Sequence, residues 1–324
     1  MQPMGEFELI QHYFAAAPCA QVSEGIALGI GDDCALLAPK PGEQLAVSTD
    51  TLVAGVHFPE HADPVLLGQR ALAVAASDLA AMGASALGFT LALTLPTVSA
   101  SWLQGFAQGL NRMAQRCNLR LVGGDTTRGP LSLTLTVFGS VPGALALTRA
   151  GARPGDLLCV GGVLGDAAGA LGLVLGQRSA EAEVADPLLA HYWSPPPQFA
   201  LGLALRGQAS AALDISDGLL ADCGHIAKAS QVELLVERDR VPVSNALRAL
   251  LGLQGAYDAA LSGGDDYVLA FTLPPERQQA LHAAGVPFVI VGQVREGQGV
   301  TLIDGEGRDI TPSTRGYQHF SETL

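Results

Sequence analysis

Two glycine/proline clusters, Val141-Pro-Gly-Ala144 and Ala150-Gly-Ala-Arg-Pro-Gly155, bracket a short stretch near the middle of the 324-residue chain and split it into two segments. Clusters of this kind punctuate a chain, because glycine and proline resist continuation of helix or strand. The periodicity of the first segment predicts a helix over Phe7–Ala16, short strands near 26–30 and 45–49, and a helix over 65–83. A strand at 87–95, a helix at 101–117 and strands at 119–123 and 131–141 follow, the last alternating as Leu131, Leu133, Leu135 and Val137. The second segment predicts strands at Leu157–Val160, Ala212–Ile215, 232–236, 267–272 and 288–294, with helices at 164–176 and 218–230. Ser194-Pro-Pro-Pro197 separates two further helical stretches. The expectation is an α/β (α+β) chain of two domains, 1–141 and 142–324, long enough for a core in each.

Charge narrows the partners. With 31 acidic and 18 basic residues the formal net charge is −13, which disfavours binding to nucleic-acid phosphates or anionic membrane surfaces. Only 15% of residues are charged while 48% are apolar, a balance that excludes a disordered polyelectrolyte. The two most apolar stretches, 71–95 and 157–175, are broken by Asp78 and by Asp166 with several glycines, so no transmembrane helix is expected. Met1–Phe14 has neither the basic nor the apolar region of a secretory signal, and the five cysteines are scattered without a C-x-x-C pair. Both features point to a cytoplasmic protein with reduced thiols.

Aspartates recur in or beside glycine-rich turns at the ends of apolar runs: Gly29-Ile-Gly-Asp32-Asp33, Ser48-Thr-Asp50-Thr, Gly123-Gly-Asp125-Thr-Thr-Arg128, Asp214-Ile-Ser-Asp217-Gly and Ser262-Gly-Gly-Asp265-Asp266-Tyr. One such turn is ordinary turn chemistry; five in one chain point to a shared task. Asp78 adds to them, since helical spacing places it in the stripe of Leu67, Ala71, Val74, Ala75 and Met82. A carboxylate on an apolar face must be paired, protonated or bound to metal, and the other aspartates favour metal. Carboxylate oxygens without clustered His or Cys suit Mg²⁺, Mn²⁺ or Ca²⁺ and not structural zinc; the calcium loop pattern D-x-[DN]-x-[DN]-G is absent, and Mg²⁺ usually shares its coordination between one or two carboxylates and substrate phosphates. Several ions around a polyphosphate would let an acidic protein hold an anionic nucleotide. No G-x-x-x-x-G-K-[ST] motif is present, and the two lysines, Lys40 and Lys228, lie outside glycine loops, which excludes a P-loop kinase. The run Gly161-Gly-Val-Leu-Gly165-Asp-Ala-Ala-Gly169 reads as a strand-to-helix turn.

The segments GEFELI, GIGDDCALL, STDTLVAGVHF, SDLAAMGA, GGDTTRGPLSLT, LTRAGARPGD, DISDGLLAD, SGGDDY and RGYQHF, in this order over nearly the whole chain, resemble the thiamine-monophosphate kinase family, of the superfamily that includes aminoimidazole ribonucleotide synthetase. The resemblance implies a two-domain aminoimidazole ribonucleotide synthetase-like fold, with an N-terminal mixed sheet for ATP, Mg²⁺ and homodimer contacts and a C-terminal α/β domain. It implies transfer of the ATP γ-phosphate to thiamine monophosphate, the final step of thiamine diphosphate biosynthesis. The family's magnesium positions fall on Asp33, Ser48, Thr49, Asp50, Asp78, Asp125, Asp214 and Asp217. Its nucleotide contacts fall on Gly124, Asp125, Arg149 and Ser216, and its thiamine contacts on His57, Asp265 and Tyr317. Read without the family, His57 is a polar loop histidine and Tyr317 a packing residue. Arg128 is open between a phosphate contact and a salt bridge.

Two departures stand out: Asp265 where the family usually has Glu, and Trp193-Ser-Pro-Pro-Pro-Gln198 where it often has Arg-Pro-x-Pro-Arg. Related enzymes fit less well, since Cys19 lacks the glycine-rich setting of a selenophosphate synthetase and Glu322-Thr-Leu324 lacks the terminal cysteine of a hydrogenase-maturation dehydratase. The implied acceptor is an already ionised phosphate, so no general base is expected and transfer should be direct and in line.

Overall fold

The computed structural model describes residues 6–313. They fall into two units, 6–79 with Ala84–Ala144, and Ala80–Gly83 with 145–313. The first opens with helix α1 (Glu6–Leu9), which widens into a π-helical turn over Ile10–Ala15. A short hairpin, β1 (Ile26–Leu28) with β2 (Leu36–Leu37), precedes the long strand β3 (Glu43–Val53). Helix α2 (Pro64–Ala81) then leads to β4 (Ser85–Leu95), α3 (Ala100–Cys117), β5 (Arg120–Arg128) and β6 (Ser132–Pro142). The sheet order is β3-β6-β4-β5, with β4 and β5 parallel across the α3 connection and the other pairs antiparallel.

Local chemistry explains where the helices begin and stop. Asp63 Oδ1 accepts the Val65 and Leu66 amides at 2.8 and 3.1 Å, and Pro64, which has no amide hydrogen, takes the first helical position of α2. Ser99 caps α3 through its hydroxyl, and Asn118 closes that helix at φ 54°, a conformation asparagine tolerates. The buried face of α3 is Leu103, Phe106, Leu110, Met113 and Cys117, at spacings of three and four. Where α2 and α3 cross, glycine is obligatory: a Cβ on Gly109 would lie 1.9 Å from the Val65 carbonyl oxygen, and one on Gly68 2.4 Å from that of Phe106.

The second unit is built on a six-stranded sheet ordered β12-β9-β11-β7-β10-β8. Its strands are β7 (Leu157–Val160), β8 (Ala211–Asp214), β9 (Glu233–Glu237), β10 (Leu269–Leu273), β11 (Val289–Arg295) and β12 (Gly299–Ile303), antiparallel except for β12 on β9. The helices are α4 (Asp166–Val174), α5 (Ala182–Trp193), α6 (Phe199–Leu205), α7 (Leu219–Ser230), α8 (Asn245–Ser262) and α9 (Pro275–Ala283). All five residues of β10 are buried, and Phe271 at its centre packs edge-on against Phe288 among Cys159, Leu205 and Leu281.

Three expectations change. Asp50 and Asp125 were expected in turns, but both lie inside strands: β3 continues to Val53 and β5 runs through Gly123-Gly-Asp-Thr-Thr to Arg128. Gly124 belongs there because a Cβ would sit 2.0 Å from the Leu91 carbonyl oxygen of β4, so it marks close backbone approach rather than a turn. Met82 lies beyond the end of α2 and is 37% exposed, so it does not extend the Asp78 stripe; Leu67, Ala71 and Ala75 do, fully buried. Helices α8 and α9 and strands β2 and β12 are additional to the expected set.

Candidate active site

In the first unit, alternation along β3 sorts the motif Ser48-Thr-Asp50-Thr onto two faces. Ser48 and Asp50 are half-buried on one face, and the Ser48 hydroxyl donates to Asp78 Oδ2 of α2. That bond supplies the partner that an acid on an apolar helix face requires. Thr49 and Thr51 face the other way, where their hydroxyls pair at 2.9 Å with those of Thr136 and Thr134 on β6. The Thr49 hydroxyl is therefore separated from the Ser48, Asp50 and Asp78 group.

A cleft of about 1320 Å³ in the same unit is lined by Glu8, His12, Asp33, Cys34, Gly124 and Asp125, among others. Asp33 follows the Gly31 turn, with its amide donating to Asp32 Oδ1 at 2.9 Å. Asp125 is exposed on β5, in register with Ala92, and Arg128 is exposed at the end of that strand. His57 accepts the Val53 amide on Nδ1 at 3.0 Å, which places the ring proton on Nε2 and closes the turn after β3.

In the second unit the functional candidates sit on two loops joined through their backbones. Asp214 ends β8, and the following turn carries Ser216 and Asp217. The Asp222 carboxylate in the first turn of α7 accepts both of their amides, at 3.0 and 2.9 Å. Burial pushes its carboxyl up to about 6, against the lowering effect of those amides. The Asp265 amide donates to the Ser216 carbonyl and the Tyr267 amide to that of Ile215, each at 2.8 Å. A Cβ on Gly264 would meet the Ser216 carbonyl oxygen at 2.1 Å, so the close seam explains this glycine. Asp265 has φ 70° and its Oδ1 accepts the Tyr267 hydroxyl at 3.0 Å.

Arg149 is exposed, and its carbonyl accepts the Ser230 hydroxyl, whose oxygen also takes the Gly151 and Ala152 amides. Partial desolvation, reinforced by the Arg149 charge, holds the His225 imidazole below the usual range, with Asp217 opposing. The 161–169 run is the turn from β7 into α4, as expected, with Gly165 at φ 86° as the helix cap. Tyr317 lies outside the described residues.

Residues 31–141 match the AIR synthase related protein, N-terminal domain, and residues 153–305 match the C-terminal domain of the same group. Over 323 residues the chain is 45% identical to the thiamine-monophosphate kinase of Escherichia coli K12, covering 98% of each. The chain belongs to the thiamine-monophosphate kinase family. It is accordingly a kinase with the two-domain AIR synthase-like fold. The crystal structure of the thiamine-monophosphate kinase from Stenotrophomonas maltophilia K279a superposes with a TM-score of 0.81 at 46% identity, over 86% of this chain and 91% of that one. A second structure, AaThiL complexed with AMPPCP and TMP, gives 0.79 at 30% identity, over 87% and 89%.

The positions this family resemblance assigns to magnesium offer only oxygen donors, which suits a hard cation. Among the described residues no three or more His, Cys, Asp or Glu side chains form a ready metal site. Mg²⁺ held by one or two carboxylates together with substrate phosphates needs no such cage, so the donor set fits it. Sequence reasoning passed over Asp222 and Asp266, whose carboxylates hold backbone amides. Both stand in the recurring acidic motifs, Asp222 as the last acid of DISDGLLAD and Asp266 in SGGDDY, but the partner of Asp266 is 101 residues away and no local pattern encodes its role.

Proposed function

We propose that this chain transfers the γ-phosphoryl group of ATP to thiamine monophosphate, giving thiamine diphosphate and ADP by direct in-line displacement. The observation that carries the reading is full-length similarity to thiamine-monophosphate kinases, together with a structural neighbour that holds AMPPCP, an ATP analogue, and TMP. The acceptor phosphate is ionised at neutral pH, so the site needs no general base. Its task is to align two polyanions and offset their repulsion.

Asp33, Ser48, Thr49, Asp50, Asp78, Asp125, Asp214 and Asp217 are the residues proposed to hold Mg²⁺, Thr49 by some group other than its hydroxyl, which is engaged on the far face. When bound, Mg²⁺ would supply positive charge that offsets the repulsion between the phosphates. Gly124 presents backbone at the wall of the first unit's cleft; in the second unit Ser216 carries a hydroxyl and Arg149 a planar fork of donors suited to phosphate oxygens. His57, through Nε2–H, together with Asp265 and Tyr317, is assigned to the thiamine phosphate. We further propose a cytoplasmic homodimer. Its location is supported by the free, mostly buried cysteines and by the absence, among the described residues, of a helix long and apolar enough to cross a membrane. For the dimer, β3 presents Leu45 at 45% and Val47 at 55% exposure beside the threonine pairs, a partly apolar sheet face suited to a second copy.

The test is an assay with ATP and Mg²⁺ in which thiamine monophosphate, free thiamine and aminoimidazole-pathway substrates compete as acceptors. Thiamine diphosphate formed from the monophosphate alone is the expected result; ADP formation with another acceptor overturns the substrate. A phospho-aspartate that forms and decays at the turnover rate would overturn direct transfer.

Cysteine labelling reports on the cleft independently of turnover. Burial pushes the thiol of Cys19 up to about 11 and those of Cys117 and Cys159 up to about 12, and raises that of Cys223 as well, while Cys34 is exposed. A thiol reagent at pH 8 should therefore modify one cysteine in the native protein, and Mg·ATP should slow that reaction because Cys34 shares the cleft with Asp33 and Asp125. Peptide mapping that finds Cys159 or Cys223 labelled first would contradict the packing, and an unprotected Cys34 would contradict nucleotide binding in this cleft.

A further inference from the structure

We infer that Asp266 is a positioning residue for the phosphate acceptor: its buried side chain ties the Asp265 loop to the start of α4 and so fixes where Asp265 stands. This rests on the proposed role of Asp265 at the acceptor.

Helix α4 begins at Gly165, a residue with no side chain to cap it. The cap comes from 101 residues away: both Asp266 carboxylate oxygens lie within hydrogen-bonding distance of the Gly165 amide, at 3.0 and 2.8 Å, and the Ala167 amide adds a further bond. Asp266 is completely buried, which pushes its carboxyl well above the usual range against the effect of these amides, and His191 Nε2 lies 3.9 Å from its Oδ1. A local capping side chain is barred, because Gly165 has φ 86° and a Cβ there would lie 2.7 Å from the Ala260 amide nitrogen. The distant cap achieves something a local one does not, because it fastens a second loop to the helix.

That loop is strained. Asp265 at φ 70° and Tyr267 at φ 51° flank Asp266 in the left-handed region, which side chains other than glycine rarely adopt, so packing must hold them there. Its restraints are the Asp265 and Tyr267 amides on the Ser216 and Ile215 carbonyls, the Asp266 carboxylate on α4, and His191 Nε2 on the Asp266 carbonyl at 3.2 Å. A further link closes the circuit. Asp166, the first residue of α4, accepts the Ser244 hydroxyl at 2.6 Å, and Ser244 caps α8 by taking the Leu247 amide at 3.0 Å. Helix α8 then runs to Ser262, immediately before the Asp265 loop. Both ends of α8 are thus pinned to the first turn of α4. The end of α8 also packs on α4 directly, with Ala260 against Gly165 and Gly263 against Ala168, so what Asp266 alone supplies is the hydrogen-bonded restraint between the two strained residues of the loop.

The test compares Asp265→Ala, Asp266→Ala, Asp266→Asn and the double alanine variant by steady-state kinetics, with a thermal melt for each. The acceptor KM should rise about tenfold in Asp266→Ala and less in Asp266→Asn, which keeps one accepting oxygen, while the ATP KM stays within about threefold. Because Asp266 acts through Asp265, the double variant should show an acceptor KM no higher than Asp265→Ala alone. An unchanged acceptor KM in a folded Asp266 variant, an equal rise in both KM values, or effects that multiply in the double variant overturn the inference. If Asp266→Ala does not fold, Asp266→Asn decides on the same criteria. An Asp265→Ala variant with normal acceptor KM would instead remove the assigned role of Asp265.

Discussion

Asp50→Asn lowers kcat by on the order of 10³-fold while leaving the melting temperature within about 2 °C of the parent, if the phosphates are held as proposed. The substitution keeps the shape and most hydrogen-bonding capacity of the side chain and removes its charge. Asp50 lies mid-strand on β3, opposite Leu135 in a register fixed by eleven consecutive pairs with β6, so the backbone has no reason to move. It shares a face with Ser48, whose hydroxyl is committed to Asp78, and the local demand for negative charge is therefore met by few groups. The loss should appear in kcat more than in the acceptor KM, because charge stabilisation of a transferring phosphoryl group is realised mainly in the transition state. Asp258→Asn, an equal change of charge on α8 beside Gln254, serves as the control and should leave turnover unchanged. A folded Asp50→Asn enzyme with wild-type kcat removes β3 from the proposed phosphate site.

The second large effect concerns stability and separates two glycines that look alike in sequence. Gly109→Ala should cost about 3 kcal/mol, because its new Cβ would occupy space 1.9 Å from the Val65 carbonyl oxygen, a backbone atom that cannot swing aside. The helices α2 and α3 would have to separate, and both line the buried side of the first unit. For a chain of this size that corresponds to a fall in Tm of roughly 4 °C. Gly224→Ala, also inside a helix, should act in the opposite direction by about 0.5–1 kcal/mol, since nothing lies within 4 Å of the added methyl and alanine is the better helix former. Melts in which both variants shift the same way would show that helix propensity, not the helix crossing, governs these positions.

How far the sequence could be read depended on whether burial was one-sided. The alternation Leu133, Leu135, Val137 and the three-and-four spacing of α3 announced their elements, because each has one apolar face. Strand β3 was read too short: among its eleven residues only Leu52 is buried, so no alternation of apolar and polar residues marks it, and its pairing with β6 defines it instead. Helix α8 was not anticipated because Gly252, at φ 72°, interrupts its backbone and its apolar pattern with it. Similarly, Gly123-Gly124 was taken for a turn signal when Gly124 answers to a neighbouring strand, a contact no local pattern encodes. The aspartates themselves were legible as a set, and an acid on the apolar face of α2 was visible from helical spacing alone. Their sorting was not: that Thr49 turns away from Ser48 and Asp50 follows once the segment is a strand. The role of Asp266 required the fold, since residues 165 and 266 are neighbours only in three dimensions.

The capping of α4 by Asp266 also has a consequence for the order of events during synthesis. A ribosome that has just emitted Gly165 must add 101 more residues before the carboxylate that completes this helix exists. At about 5–20 residues per second, that interval is roughly 5–20 s. Throughout it the amides at the start of α4 have only water as partner, and the strained loop that will close over it has not been made. The proposed acceptor contact at Asp265 therefore cannot take its final form until the chain has passed Asp266 and the strand that follows it, β10, can pair with β7 and β8.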